Sequence, residues 1–68
     1  TVSLAQLEAK LEPYGFFRVH RRYLVNLACV AEVEPISGGT LQLQLTGEEE
    51  KIPVSRRRVA SLKKALGI

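Results

Sequence analysis

Residues 41–45 read Leu-Gln-Leu-Gln-Leu, and this stretch alternates apolar and polar side chains without exception. Because successive side chains of a strand point to opposite faces, the alternation predicts a β-strand with its leucines toward a core and its glutamines toward water. Turn-forming residues flank it, with Ser37-Gly38-Gly39 before and Thr46-Gly47 after. The stretch is therefore predicted to have an antiparallel neighbour on either side of it in the sequence.

The two neighbouring segments carry weaker strand signals. Residues 29–34 contain β-branched and small apolar side chains, which favour a strand, and Cys29 is expected to be buried there as a small apolar residue. Residues 51–54, Lys-Ile-Pro-Val, are predicted to return as a further strand. Since proline has no backbone N–H, Pro53 requires an edge or an end position in that strand.

Residues 16–20, Phe-Phe-Arg-Val-His, are predicted to be extended, with Phe17 and Val19 toward the core. Residues 21–27 leave a helical turn and an irregular connection both open. Within them, residues 23–25 (Tyr-Leu-Val) are expected to join the core, and Asn26 is expected to bond to the backbone of the following turn.

Helices are predicted at both ends of the chain. Residues 1–12 carry Ser3 as an N-cap with Gln6 at the capping-box spacing, and a leucine stripe follows. Ser55 is predicted to cap a second helix over residues 56–66, whose core stripe is Val59, Leu62 and Leu66. The predicted fold class is α+β and mostly antiparallel β, with one helix before the strands and one after them.

The composition limits the classes of protein to which the chain can belong. The 68 residues correspond to a single domain over residues 1–68, with no apolar run of membrane-spanning length and no leader-like segment. One cysteine cannot form an internal disulfide, which favours a reducing, cytoplasmic compartment. With one histidine and no aspartate, the chain offers no triad and no metal-ligand set, so neither enzymatic activity nor a cofactor is expected.

The six arginines fall in two groups, here called the first triplet (Arg18, Arg21 and Arg22) and the second triplet (Arg56, Arg57 and Arg58). The second lies where a helix N-terminus would favour acidic residues, so folding alone does not explain it. The arginines and the positive end of the helix repel each other, and a phosphate bound there would attract both. The alternative is a solvated basic patch that the glutamates at 48–50 partly neutralise.

The ordered motifs resemble the LytTR DNA-binding domain, the output end of many bacterial response regulators. They are Phe16-x-Arg18-x-His20-Arg21-x-Tyr23-Leu24-Val25-Asn26, a hairpin, and then Ile52-Pro53-Val54-Ser55-Arg56-Arg57 before a leucine-striped helix. Together they cover nearly the whole chain.

The resemblance implies sequence-specific binding of double-stranded DNA, at direct repeats in promoters, through loops that read the major groove. It assigns base contacts to Arg21 and Arg56, and phosphate-facing or supporting roles to His20, Arg22 and Arg57. Arg18 belongs to the same expected DNA-binding set.

Two departures from the family are visible. Arg22 stands where the family usually has serine, and the strands that normally precede the first helix are absent. The chain therefore resembles the C-terminal two-thirds of such a domain. An uncovered sheet edge would then allow a homodimer, as would paired sites on DNA.

Two other functions remain open at this point. One is an RNA-binding module, which lacks support because the chain has neither a GxxG loop nor a paired aromatic strand motif. The other is a protein-interaction domain whose basic face meets an acidic partner.

Overall fold

A computed structural model describes all 68 residues and confirms the predicted order of helix, antiparallel strands and helix. Short 3-10 turns cover residues 12–14, 27–29 and 56–58. Neither helix has the length and apolar character needed to span a bilayer. The elements are α1 (Leu4–Leu11), β1 (Phe16–His20), β2 (Tyr23–Asn26), β3 (Val30–Ile36), β4 (Thr40–Leu45), β5 (Lys51–Val54) and α2 (Val59–Leu66).

The strands form two antiparallel sheets, one of β1 and β2 and the other in the order β3-β4-β5. The alternating stretch is β4, the central strand of the larger sheet, and its Leu41 and Leu43 are buried as predicted. Pro53 lies on β5, which pairs only with β4. The edge position predicted for this proline is thereby confirmed, because the missing N–H costs no ladder bond on an edge strand.

A single apolar core joins the two sheets and the last helix. It contains one buried side chain from α2, Leu62, and five from the strands, and no polar or charged residue is buried with them. Because both sheets and α2 contribute, burial of the core holds these elements in one arrangement. The six buried residues are Val19, Val25, Leu41, Leu43, Val54 and Leu62.

The first helix begins as predicted and ends slightly earlier. The Ser3 hydroxyl accepts from the Gln6 N–H, and the Gln6 side chain accepts from the Ser3 N–H, completing the capping box. The helix spans Leu4–Leu11, followed by a 3-10 turn that contains Pro13. No residue of α1 is buried, so the helix packs on the surface of the β1–β2 hairpin.

The segment that the sequence left open, residues 21–27, contains strand β2, which pairs with β1. Val25 is buried, whereas Tyr23 is 38% exposed, so the prediction that Tyr23 joins the core is wrong. Tyr23 pairs with His20 at the end of the hairpin, beyond the core, and its ring packs against the imidazole at a centroid distance of 5.3 Å. Asn26 Oδ1 accepts from the Ala28 N–H at 3.0 Å, as predicted.

Cys29 is exposed, which contradicts its predicted burial. It ends a 3-10 turn over Leu27–Cys29 and precedes β3, so strand alternation does not apply to it. In a turn with three residues per revolution, Leu27 packs against the core and Cys29 points elsewhere.

The C-terminal helix is shorter than predicted. Residues Arg56–Arg58 form a 3-10 turn and α2 begins only at Val59, so the prediction of a helix starting at residue 56 is wrong. The Ser55 hydroxyl caps nothing. Its carbonyl instead accepts the Arg58 N–H at 2.8 Å, which closes the tighter turn. Gly67, at φ 78°, ends α2 in the left-handed conformation that glycine adopts without a steric penalty.

A polar network crosses the three strands of the larger sheet and generates a prediction. Glu34 on β3 accepts hydrogen bonds from Lys51 on β5 and from Gln42 on β4. The Lys51 bond, followed by the Gln42 bond, lowers the pKa of the Glu34 carboxyl below its ordinary value of 4.5.

A carboxyl whose pKa is lowered by folding stabilises the protein above its unfolded pKa, and this stabilisation disappears as the pH falls through the folded pKa. We therefore expect Glu34→Gln to be less stable than wild type at pH 7 and to match it at strongly acidic pH. Urea unfolding at both pH values measures the difference. Glu32→Gln on the same strand is the control, since Glu32 makes no ion pair. A stability difference between wild type and Glu34→Gln that is the same at both pH values would contradict the assignment.

Candidate nucleic-acid interface

The two arginine triplets come from separate segments that one backbone hydrogen bond joins. The register between β1 and β2 shifts between Arg18 and His20, so Val19 is the extra residue of a β-bulge. The Val19 carbonyl accepts the Ser55 N–H at 2.8 Å. Ser55 immediately precedes the 3-10 turn, so this bond places the second triplet beside the β1–β2 hairpin.

A cleft of about 290 Å³ lies at this junction. Four arginines and one serine line it, and no hydrophobic residue does. The two triplets thus meet on one surface, and each contributes two arginines. The lining residues are Arg18 and Arg21 from the hairpin, and Ser55, Arg57 and Arg58 from the turn.

The positive charge of the cleft is largely uncompensated. The arginines make one ion pair among them, from Arg18 Nη1 to Glu8 Oε1 at 3.7 Å. The glutamates at 48–50 pair with none of the arginines, so the alternative in which they neutralise the second triplet is wrong. Like charges gathered in one cleft attract a polyanion and raise the local concentration of anions.

Arg56 lies away from the cleft although its neighbours line it. Its Nη2 is 3.3 Å from the position that a Cβ atom on Gly38 would occupy, which places the guanidinium beside the β3–β4 turn. Successive residues of a 3-10 turn point about 120° apart, so adjacent arginines are directed to different places.

His20 and Arg22 complete the hairpin end of the surface. His20 Nδ1 accepts from the Arg22 N–H at 3.2 Å, so the imidazole is held against the turn through that nitrogen. The Arg22 side chain is exposed and does not line the cleft.

Sequence reasoning missed two residues of the cleft, Ser55 and Arg58. The sequence predicts a capping role for Ser55, and the expected DNA-binding set does not include Arg58. The run of three arginines is a signal for Arg58. No local pattern identifies Ser55, because its place in the cleft depends on the bond to Val19. No group of three or more metal-ligating side chains is present.

The fold and the cleft define a small β-rich domain that gathers four arginines from two segments on one surface. The sequence profile of the LytTr DNA-binding domain matches residues 1–67. The chain belongs to the LytTR family of DNA-binding domains, and the resemblance noted in the sequence is confirmed.

Relatives agree with this assignment. The chain is 41% identical over 66 residues to the sensory transduction protein LytT of Oceanobacillus iheyensis. This alignment covers 96% of this chain and 27% of that protein. It is 39% identical over 67 residues to the CO-responsive transcriptional regulator RcoM of Rhodospirillum rubrum, covering 98% of this chain and 28% of that protein. The chain thus spans about a quarter of the length of these relatives.

A solved structure shares the fold. The LytTr DNA-binding domain of a Bacillus cereus response regulator superposes with a TM-score of 0.87 at 29% sequence identity. The superposition covers all of this chain and 62% of that one. The prediction that this chain corresponds to the C-terminal two-thirds of such a domain stays a prediction.

Ser55→Pro removes the N–H that bonds to the Val19 carbonyl and puts the ring Cδ in its place. Ser55 has φ −61° and ψ 139°, angles that proline adopts readily. We expect Ser55→Pro to lose about 1–3 kcal/mol of unfolding free energy, because the buried Val19 carbonyl loses its donor. Urea unfolding measures the loss.

Ser55→Ala is the matched control, since it keeps the N–H and removes only the hydroxyl. It is expected to stay within about 0.5 kcal/mol of wild type. Equal stability of the proline and alanine variants would show that the bond does not hold the two sheets together.

Proposed function

We propose that this domain binds double-stranded DNA sequence-specifically, as the output module of a bacterial transcriptional regulator. The observation that carries the proposal is the cleft lined by four arginines from two segments, of which Arg18 alone pairs with a carboxylate. Guanidinium groups match both phosphate oxygens and the N7/O6 edge of guanine. Family membership supports duplex DNA as the polyanion, and the relatives named above are sensory and transcriptional proteins.

The roles of the arginines are part of the proposal. Arg21 and Arg56 reach base edges in the major groove, and their separation supports two reading points. Arg21 is exposed at the tip of the β1–β2 hairpin, and Arg56 is exposed beside the β3–β4 turn. Two points of contact from different loops would read different base pairs.

Three further groups, His20, Arg22 and Arg57, face phosphates. Arg57 lines the cleft. Arg22, the residue that follows Arg21, is exposed. Because His20 Nδ1 accepts from the Arg22 N–H, its Nε2 carries the proton in the neutral ring and is a donor for a phosphate oxygen. Phosphate contacts of this kind set the position on the duplex without reading sequence.

The proposal also includes the DNA target and the oligomeric state: the domain binds direct repeats in promoters, and it does so as a homodimer. Two copies on adjacent sites would double the contacts with one duplex. Pairing through a sheet edge is the other route to a dimer. The edge strands of the larger sheet, β3 and β5, each have one side free of ladder bonds.

Selection of bound duplexes from a random library tests sequence specificity directly. Enrichment of a recurring motif is expected, and two copies in tandem would support direct repeats. Competition with duplex RNA separates the RNA-binding alternative. Absence of binding to any nucleic acid at low salt would favour an acidic protein partner.

Alanine substitutions test the roles. Arg21→Ala and Arg56→Ala are each expected to cost about 1–3 kcal/mol on the selected duplex and less on random DNA. Arg57→Ala is expected to weaken both duplexes about equally, because phosphates are common to all sequences. Affinities come from fluorescence anisotropy titrations.

The salt dependence supplies a second readout. With about four to six phosphate contacts, the slope of log affinity against log salt is expected near −4 to −5. Lys64→Ala is the matched control, since it removes one positive charge from α2 at a residue that does not line the cleft. Equal losses on specific and random DNA for all three arginine variants would overturn the base-reading roles.

A further inference from the structure

The turn that carries Arg21 lacks the usual conformation of a two-residue hairpin. Strands β1 and β2 are joined by Arg21 and Arg22 alone, and His20 pairs with Tyr23 on either side of them. Two-residue hairpins normally use turns with positive φ, which match the twist of the strands. No residue other than glycine has positive φ in this chain. Arg21 and Arg22 therefore both have negative φ, which suits arginine but matches the twist of the two strands less well.

Two side chains of β1 bind the backbone of the turn. Arg18 Nη2 donates to the Arg21 carbonyl at 2.7 Å, and His20 Nδ1 accepts from the Arg22 N–H at 3.2 Å. The first of these bonds involves a charged donor, which makes it stronger than a bond between neutral groups. The peptide group that joins Arg21 to Arg22 is thus held from β1 through both its carbonyl and its N–H.

Arg18 is placed to support the turn rather than to meet a ligand. Its side chain is 19% exposed, and Nη1 is 3.7 Å from Glu8 Oε1 on α1. Its Nε is buried without a hydrogen-bond partner. The guanidinium thus lies at the wall of the cleft, with Nη2 bonded to the Arg21 carbonyl and Nη1 toward Glu8.

We propose that Arg18 is a positioning residue and that Glu8 orients it, so that together they fix the turn from which Arg21 reaches DNA. This inference rests on the proposed function and adds to it a determinant of specificity outside the DNA contact. Arg18 contributes to the ratio of affinities for specific and random duplexes through Arg21. It does not neutralise a phosphate itself.

Two test variants and one control test the proposal. Arg18→Lys keeps the charge but lacks the planar fork that reaches two acceptors at once. Glu8→Gln removes the carboxylate next to Arg18. Glu12→Gln is the matched control, because it removes the same charge from the neighbouring turn and Glu12 makes no ion pair.

In the free protein, backbone ¹⁵N relaxation reports the order of the turn. The order parameters of Arg21 and Arg22 are expected to fall in Arg18→Lys and Glu8→Gln and to stay at the wild-type value in Glu12→Gln. Unchanged order in both test variants would overturn the proposal. This measurement uses no DNA, so it stands even if the domain fails to bind a duplex.

On DNA, anisotropy titrations compare the selected duplex with a random one. Arg18→Lys is expected to lower the specific-to-random affinity ratio by about tenfold, the scale of one lost hydrogen bond to a charged group. The salt slope is expected to match wild type. Glu8→Gln should lower the ratio in the same direction, whereas Glu12→Gln should leave it unchanged.

Arg18→Gln distinguishes the positioning role of Arg18 from a direct contact between Arg18 and a phosphate. If Arg18 touched a phosphate, its loss would reduce the magnitude of the salt slope by about 0.9. We expect the slope to remain as in wild type while the ratio falls. A reduced slope with an unchanged ratio would overturn the positioning role. Failure of wild type to bind any duplex would overturn the proposed function instead.

Discussion

The hydrogen bond from the Ser55 N–H to the Val19 carbonyl joins the two sheets and the two arginine triplets at the same point. Its acceptor is available because Val19 is the extra residue of a bulge and is left unpaired in the β1–β2 ladder. Its donor belongs to Ser55, the residue that immediately precedes the 3-10 turn. A change in either segment would therefore disturb the core packing and the basic surface together.

The basic surface has an electrostatic cost that the rest of the domain must offset. The core consists of six buried residues, and chains of this size are only modestly stable. Four guanidinium groups share one cleft, and Glu8 is the single carboxylate paired with any of them. Water and salt screen this repulsion in the free protein, and a bound polyanion would relieve it. Membership of a DNA-binding family gives the arrangement a physical reason.

Sequence reasoning succeeded where a feature depends on residues a few positions apart. The β4 alternation, the Ser3 capping box and the Asn26 side-chain bond are all local, and each was found as predicted. It failed for Tyr23 and Cys29, whose apolar surroundings in sequence suggested burial. Their exposure follows from a hairpin end and a 3-10 turn, and neither leaves a periodic pattern.

The sequence by itself determined the class of fold, the strong positive charge and the two arginine triplets. The tertiary structure alone decided which arginines share a cleft: Arg58 lines it, and Arg56 lies beside the β3–β4 turn. The reason is that side-chain directions in the turn depend on its 3-10 geometry. Its position depends on a bond between residues 19 and 55, and no local propensity encodes a contact across that separation.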